Sequence, residues 1–182
     1  MTREDTLVEL VDTDGTAVGS ATVADAHTAP GRLHRAFSVL LFDPAGRLLL
    51  QQRAASKTRF ALRWANACCG HPGPGEDVAS AANRRVAEEL GLELGLSGLS
   101  LTATGVYVYR AVDSTSQRVE HEYDHVLVGR VPSDPPLAPH PGEVAALRWV
   151  DPGVLDADLR TDPPSYAPWL AGVMSVWTTT SC

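Results

Sequence analysis

Gly70-His71-Pro72-Gly73-Pro74-Gly75-Glu76 leads without a break into Asp77–Leu92, DVASAANRRVAEELGL. Glycine and proline alternate through the first part, which predicts a loop with tight turns. Val78, Ala82, Val86 and Leu90 then recur at every fourth position, the spacing of one apolar stripe on a helix from about Asp77 to Leu90. Glu76 or Asp77 is suited to cap its start, and Gly91 to stop it in a left-handed conformation. Arg84 and Glu88 stand one helical turn apart and so can pair on the exposed face. Glu76, Glu88 and Glu89 bring carboxylates beside the glycine-rich loop, and hard oxygen ligands of this kind suit Mg²⁺ bridging a diphosphate.

On either side of this segment the pattern changes to short strands. Leu7–Val11 ends in the turn Asp12-Thr13-Asp14-Gly15, and the apolar run Ala36–Phe42 is followed by Asp43-Pro44-Ala45-Gly46 and then by Arg47–Arg53. Leu101–Arg110 and Val119–Val131 read as two further strands around the polar loop 111–118, and Ala145–Val150 as another. Leu170–Trp177 reads as a C-terminal helix. Residues 132–141 carry five prolines and read as a surface loop rather than a linker, because regular structure resumes beyond them. Strands mixed with a few helices predict an α+β fold, a mixed sheet flanked by helices, in one domain spanning 1–182 with its core at about 20–178.

The chain has 182 residues, 44% hydrophobic and 20% charged, which suits one compact domain and excludes disorder. Its net charge of −7 argues against a nucleic-acid-binding surface. An anionic substrate would then require metal ions or a locally basic pocket. Three cysteines, two of them adjacent at Cys68 and Cys69, do not make a disulfide framework. The first ten residues lack the apolar core of a signal peptide, and no apolar run approaches the ~20 residues of a membrane span. A cytoplasmic protein with no membrane partner, monomeric by default, is the expectation.

Written as a pattern, residues 70–92 are G-x5-E-x7-R-R-V-x-E-E-x-G-L, which resembles the Nudix box, G-x5-E-x7-R-E-U-x-E-E-x-G-U with U aliphatic. Arg85 stands where hydrolytic Nudix members carry a metal-binding Glu. Three further stretches extend the likeness: His27-Thr28 followed by Leu33-His34-Arg35-Ala36-Phe37-Ser38; Trp64-Ala65-Asn66-Ala67-Cys68-Cys69-Gly70-His71-Pro72; and Val119-Glu120-His121-Glu122. Together with the box they resemble the type I isopentenyl-diphosphate Δ-isomerases, in the same order and similar spacing from about residue 20 to Trp169.

The resemblance implies a Nudix-like fold and isomerisation of isopentenyl diphosphate to dimethylallyl diphosphate. Glu120 and Glu122 alternate on a strand and so project to one face, and three imidazoles with two carboxylates suit a divalent ion, Mn²⁺, Zn²⁺ or Mg²⁺. The family implies His27, His34, His71, Glu120 and Glu122 as the ligands. His121, His125 and His140 are read as ordinary surface or core histidines. Moving the double bond needs one proton added and another removed, hence two acid–base groups on opposite faces of the substrate. The resemblance assigns them to Glu122, giving a proton to C4, and Cys69, taking one from C2, with Tyr109 assisting. It places Trp169 against the carbocation, where a π face stabilises positive charge. A substrate-bound Mg²⁺ is implied at Glu89 and at the backbone around Cys69, with Arg53 and Lys57, and Arg85 beside them, as diphosphate contacts. Cys68 and Cys182 receive no role.

Several positions depart from the family pattern: Val23 replaces a lysine common four residues before His27, Ala65 and Ala67 flank Asn66, Val106-Tyr107-Val108-Tyr109 replaces an aromatic–Arg–Tyr stretch, and His121 replaces an Asn. These departures motivate an alternative, the same cation chemistry, isomerising or cyclising, on a longer or different prenyl diphosphate. A second alternative is Nudix-type diphosphate hydrolysis, against which Arg85 and the Cys69–His71–Glu122 set both argue.

Overall fold

Residues 2–92 and 99–180 are described in a computed structural model of the chain; Cys182 lies outside them. The box helix, here α2, is Val78–Leu90. Asp77 caps it, its carboxylate accepting from Ser80 N at 2.8 Å, and Gly91 ends it at φ 63°. A side chain at Gly91 would meet the Ala138 carbonyl oxygen at 2.7 Å, so glycine is required there by contact as well as by conformation. The buried stripe is wider than the fourfold spacing suggests: Ala81, Ala82, Val86, Leu90 and Glu89 are buried, and Val78 only partly.

Nine strands are found among the described residues: β1 (Leu7–Val11), β2 (Ala17–Thr22), β3 (His34–Phe42), β4 (Leu48–Arg53), β5 (Trp64–Asn66), β6 (Cys68–Gly70), β7 (Leu101–Val112), β8 (Val119–Arg130) and β9 (Val144–Val150). β3 is central. It pairs antiparallel with β6 and parallel with β8, whose other edge carries β7 antiparallel. β4 is flanked by β5 and β9, and β1–β2 form a hairpin joined to β3 at His34. The remaining α-helices among the described residues are α1 (Val23–Ala26), α3 (Pro152–Thr161) and α4 (Leu170–Thr180). This mixed sheet between helices is the α+β architecture expected.

Period-2 alternation along β3 divides the core in two. Phe37, Val39 and Leu41 point to one face, where they pack with Leu127 against Ala81, Ala82, Val86 and Leu90 of α2. Leu40 and Phe42 point to the other, with Val126, and meet Leu155 of α3 and Leu170 and Val173 of α4. Full burial of a side chain such as Leu90 stabilises by about 1.5–3 kcal/mol, so Leu90→Ala, which also leaves a cavity, costs about 2–5 kcal/mol.

The short elements were not anticipated. β2, β5, β6, α1 and α3 are three to ten residues long, and three of them lie in stretches rich in alanine, cysteine or glycine that carry little periodicity. Their pairing partners create them: β6 exists because Phe37, Ser38 and Val39 of β3 offer an open edge. His34 is the first residue of β3.

Candidate active site

The parallel register of β3 with β8 builds the first part of the site. His34 stands opposite Glu122, Ala36 opposite Asp124 and Ser38 opposite Val126. A slip of one residue would turn the whole carboxylate row to the α2 face. Glu120, Glu122 and Asp124 are all buried on one face of β8, as their alternation predicts. His27 is the C-cap residue of α1 and His71 follows β6. The three rings come together with centroids 4.6, 5.0 and 4.8 Å apart.

The five predicted ligands offer atoms that all lie within 4.8 Å of one another. His27 Nδ1 donates to the Val23 carbonyl at 2.7 Å and His34 Nδ1 to the Arg32 carbonyl at 2.8 Å. A carbonyl only accepts, so each Nδ1 carries a proton, and in the neutral ring the Nε2 lone pair is the one that faces the centre. Both Nε2 atoms and Glu120 Oε2 are buried without a hydrogen-bond partner, although His27 Nε2 lies only 2.7 Å from Glu120 Oε2. Buried polar atoms left in this state are costly, and a divalent cation would satisfy them together. The donor set therefore fits a metal ion. Burial, with His34 and His27 beside it, keeps His71 well below the ordinary histidine pKa. Burial also works against a charge on His34, but the Glu122 carboxylate outweighs it and raises the His34 pKa. Among the described residues, His121, His125 and His140 stand outside the group.

Glu122 also faces a cavity of about 240 Å³, lined among others by Cys69, His71, Tyr109, Glu120 and Trp169. Tyr109 Oη donates to Glu122 Oε2 at 2.7 Å, and His71 Nε2 lies 2.9 Å from Glu122 Oε1. Burial raises the Glu122 pKa, but hydrogen bonding and charge from His34, with the Tyr109 hydroxyl, bring it below the usual carboxylate range. Burial and the Glu122 charge hold the Tyr109 phenol well above its usual value. Glu122 is thus ionised and Tyr109 protonated at neutral pH.

Cys69 comes from β6, across β3 from Glu122. Its thiol donates to Asn66 Oδ1 at 3.2 Å, and the same oxygen accepts from Trp169 Nε1 at 3.1 Å. Asn66 Nδ2 is fixed by the Cys68 carbonyl at 2.9 Å. Burial, and next the nearby Asp124, push the Cys69 thiol up to about 12. Ser38 lies 3.7 Å from Cys69 Sγ and donates to Asp124 Oδ2 at 2.7 Å; burial and the Glu122 charge raise Asp124 well above the usual carboxylate range. Trp169 is 3% exposed, edge-on to Phe60 at 5.5 Å and 6.0 Å from Tyr109.

The predicted diphosphate contacts divide. Arg53 and Lys57 line the cavity. The Arg53 guanidinium donates to the Arg59 and Phe60 carbonyls and lies 5.4 Å over the Trp169 ring, while Lys57 pairs with Glu143. Arg85 lines the neighbouring cleft instead, paired with Glu88, Glu89 and Glu143. Glu89 is buried beneath, held by Arg85 and by Gln51 Nε2 at 3.0 Å. The guanidinium thus supplies positive charge among the box carboxylates. Arg84 and Glu88 pair as expected, at 3.4 Å, and Arg84 also reaches Glu76 at 3.1 Å.

Asn66, Ser38, Asp124, Arg59 and Glu143 were not singled out by role from the sequence. Asn66 and Ser38 stand inside the quoted motifs, so a signal was there. Asp124 continues the Glu120–Glu122 alternation by one step. Glu143 and Arg59 lie in irregular segments with no pattern of their own.

This fold and helix define a Nudix protein. A NUDIX domain model matches residues 32–171. Solved structures share the fold at low identity: a Deinococcus radiodurans protein (TM-score 0.73, 21% identity, covering 94% of this chain and 99% of that one) and a MutT protein from Methanosarcina mazei (TM-score 0.61, 18% identity, covering 82% and 95%). Within the class, the chain belongs to the isopentenyl-diphosphate Delta-isomerase family. It is 59% identical over 169 residues to the isopentenyl-diphosphate Delta-isomerase of Nocardia farcinica, covering 93% of each chain, and 44% identical over 162 residues to that of Halorhodospira halophila, covering 89% of each.

Proposed function

We propose that the protein converts isopentenyl diphosphate to dimethylallyl diphosphate by protonation at C4 and deprotonation at C2, with Cys69 and Glu122 as the acid–base pair. The observation that carries this reading is one cavity lined by both a thiol and a carboxylate, with the Trp169 indole and the Tyr109 phenol in the same wall. Hydrolysis of a diphosphate has no use for that thiol, and the box carboxylates are neutralised by Arg85. The cavity, about 240 Å³, is smaller than the roughly 300–1,000 Å³ of sites for drug-sized ligands, which favours a five-carbon substrate over a longer prenyl chain.

His27, His34, His71, Glu120 and Glu122 would hold a divalent ion, Mn²⁺, Zn²⁺ or Mg²⁺ by their chemistry. Such an ion supplies fixed positive charge beside Glu122 and orients its carboxylate. Glu89 would meet a Mg²⁺ that accompanies the diphosphate, and Arg53 and Lys57, which line the cavity, would meet its oxygens. Tyr109 donates to Glu122 and so positions the proton exchanged with C4. Trp169 turns its π face to the tertiary cation, worth roughly 2 kcal/mol or more in a desolvated site, and excludes water that would trap it as an alcohol.

A protonated Cys69 and an ionised Glu122 are the states this pair reaches after the forward reaction and the states from which the reverse begins. Each new forward turnover therefore moves one proton from the thiol side to the Glu122–Tyr109 side. Asn66 and Ser38 are the hydrogen-bonding groups that touch the thiol and hold it for this exchange. Incubation with five-carbon and longer prenyl diphosphates tests the reading: dimethylallyl diphosphate forms from isopentenyl diphosphate, whereas turnover of a longer substrate without that product overturns it.

A further inference from the structure

A single 3-10 turn, Arg3–Asp5, lies against the open side of the cavity. Two distant anchors hold it. Glu4 accepts from Arg59 Nη1 and from Thr58 Oγ1, both at 3.0 Å, and Arg59 in turn donates to Glu120 Oε1 at 3.1 Å. Arg3 reaches Glu143 through Nη1, 2.9 Å from each carboxylate oxygen, and its Nη2 lies 3.6 Å from Glu89 Oε1. The Thr6 carbonyl accepts from Val23 N at 2.9 Å, which fixes the turn beside α1 and the buried, uncharged Val23 side chain.

The cations facing the cavity differ in what they are free to do. Arg59 is paired with Glu4 and Glu120, and Arg53 is anchored by two loop carbonyls. Arg3 is held by carboxylates alone, and its side chain is 39% exposed, against 14% for Lys57 and 10% for Arg59. Glu143 carries three cations at once, Arg3, Lys57 and Arg85. Glu89 shares Arg3 and Arg85 with it, so Arg3 has no carboxylate to itself, and it stands where the cavity meets the neighbouring cleft, both of which Arg3 and Glu143 line. An exposed guanidinium held only by shared carboxylates can exchange them for an anion with several oxygens, and its fork suits phosphate geometry.

We propose that Arg3 of the N-terminal turn is a diphosphate-binding residue, exchanging its contacts with Glu143 and Glu89 for oxygens of the substrate's diphosphate. The assignment rests on the isomerase reading for the identity of the substrate, and on geometry alone for the anion. Glu4 is a positioning residue, tying the turn to Arg59 so that Arg3 hangs over the entrance.

The test uses the full chain with its divalent ion, comparing wild type with Arg3→Ala and Arg3→Lys. Calorimetric titration with inorganic pyrophosphate and Mg²⁺ measures anion binding without any turnover. Arg3→Ala should weaken that binding by about tenfold or more, the size of a lost charge-assisted contact, with Arg3→Lys between it and wild type. In steady-state assays with isopentenyl diphosphate, the KM of Arg3→Ala should rise by a similar factor while kcat changes by less. Unchanged pyrophosphate affinity in Arg3→Ala, loss of thermal stability with no change in binding or KM, or a wild-type protein that binds no pyrophosphate would overturn the proposal. A wild-type protein that binds pyrophosphate but isomerises nothing would instead contradict the isomerase reading and leave the Arg3 comparison decisive in its own right.

Discussion

Tyr109 and Glu122 are direct register partners across β7 and β8, and the phenol donates to Glu122 Oε2 at 2.7 Å. The other oxygen of that carboxylate faces His71 at 2.9 Å and His34 at 3.7 Å. One side chain therefore serves two purposes, with one oxygen turned to the histidine centre and the other to the tyrosine and the cavity. Removing the charge should affect both. Glu122→Gln and Cys69→Ala are each expected to lower isomerase turnover at least a hundredfold, the usual scale of positioned acid–base catalysis. Near-wild-type turnover in either variant, measured with isopentenyl diphosphate, would refute the assignment.

Glu120 isolates the metal part of the site, because it meets His27 and Arg59 and has no contact with Tyr109 among its hydrogen bonds. Glu120→Gln keeps the volume and removes the charge. Bound divalent metal, measured by elemental analysis after dialysis, should fall with it, and affinity should drop at least tenfold. Full metal occupancy in this variant would remove Glu120 from the ligand set.

Asn66 joins the thiol to the indole, accepting from both Cys69 and Trp169 through one oxygen. Asn66→Ala leaves two donors without their acceptor in a buried place, a loss of about 1–3 kcal/mol. Chemical denaturation should show that loss, and turnover should fall further than stability alone explains. Wild-type turnover in a destabilised protein would make Asn66 structural only.

Glu143 provides a pH signature. Burial raises its pKa, but Arg3, Lys57 and Arg85 outweigh that and hold it at about 2, below the ordinary 4.5. A depressed carboxylate stabilises the folded state above its unfolded value, and the contribution disappears as pH falls through the folded one. The stability gap between wild type and Glu143→Gln should therefore be full above pH 4.5 and shrink towards pH 2. A gap in thermal midpoint that stays constant across that range would contradict the assignment.

The box helix was legible to within a residue because its signals are local: a fourfold apolar spacing, an Asp cap and a stopping glycine. β1 was found in full, and β3, β4, β7, β8 and β9 within two residues at each end. The five proposed ligand positions stand in motifs visible in the sequence, yet their convergence depends on the parallel β3–β8 register, which joins residues some ninety positions apart. Ion pairs such as Arg3–Glu143, 140 residues apart, leave no trace in any window of sequence. For the same reason the sequence showed Arg85 on its helix but not its pairing with Glu143, fifty-eight residues on.

Incubation with isopentenyl diphosphate and Mg²⁺, plus Mn²⁺ or Zn²⁺, in deuterium oxide tests the central claim most directly. Proton transfer from a solvent-exchanged group to C4 predicts dimethylallyl diphosphate whose new methyl group carries deuterium, seen by NMR. Release of phosphate in place of that product, or a product formed without solvent deuterium at C4, would contradict the account.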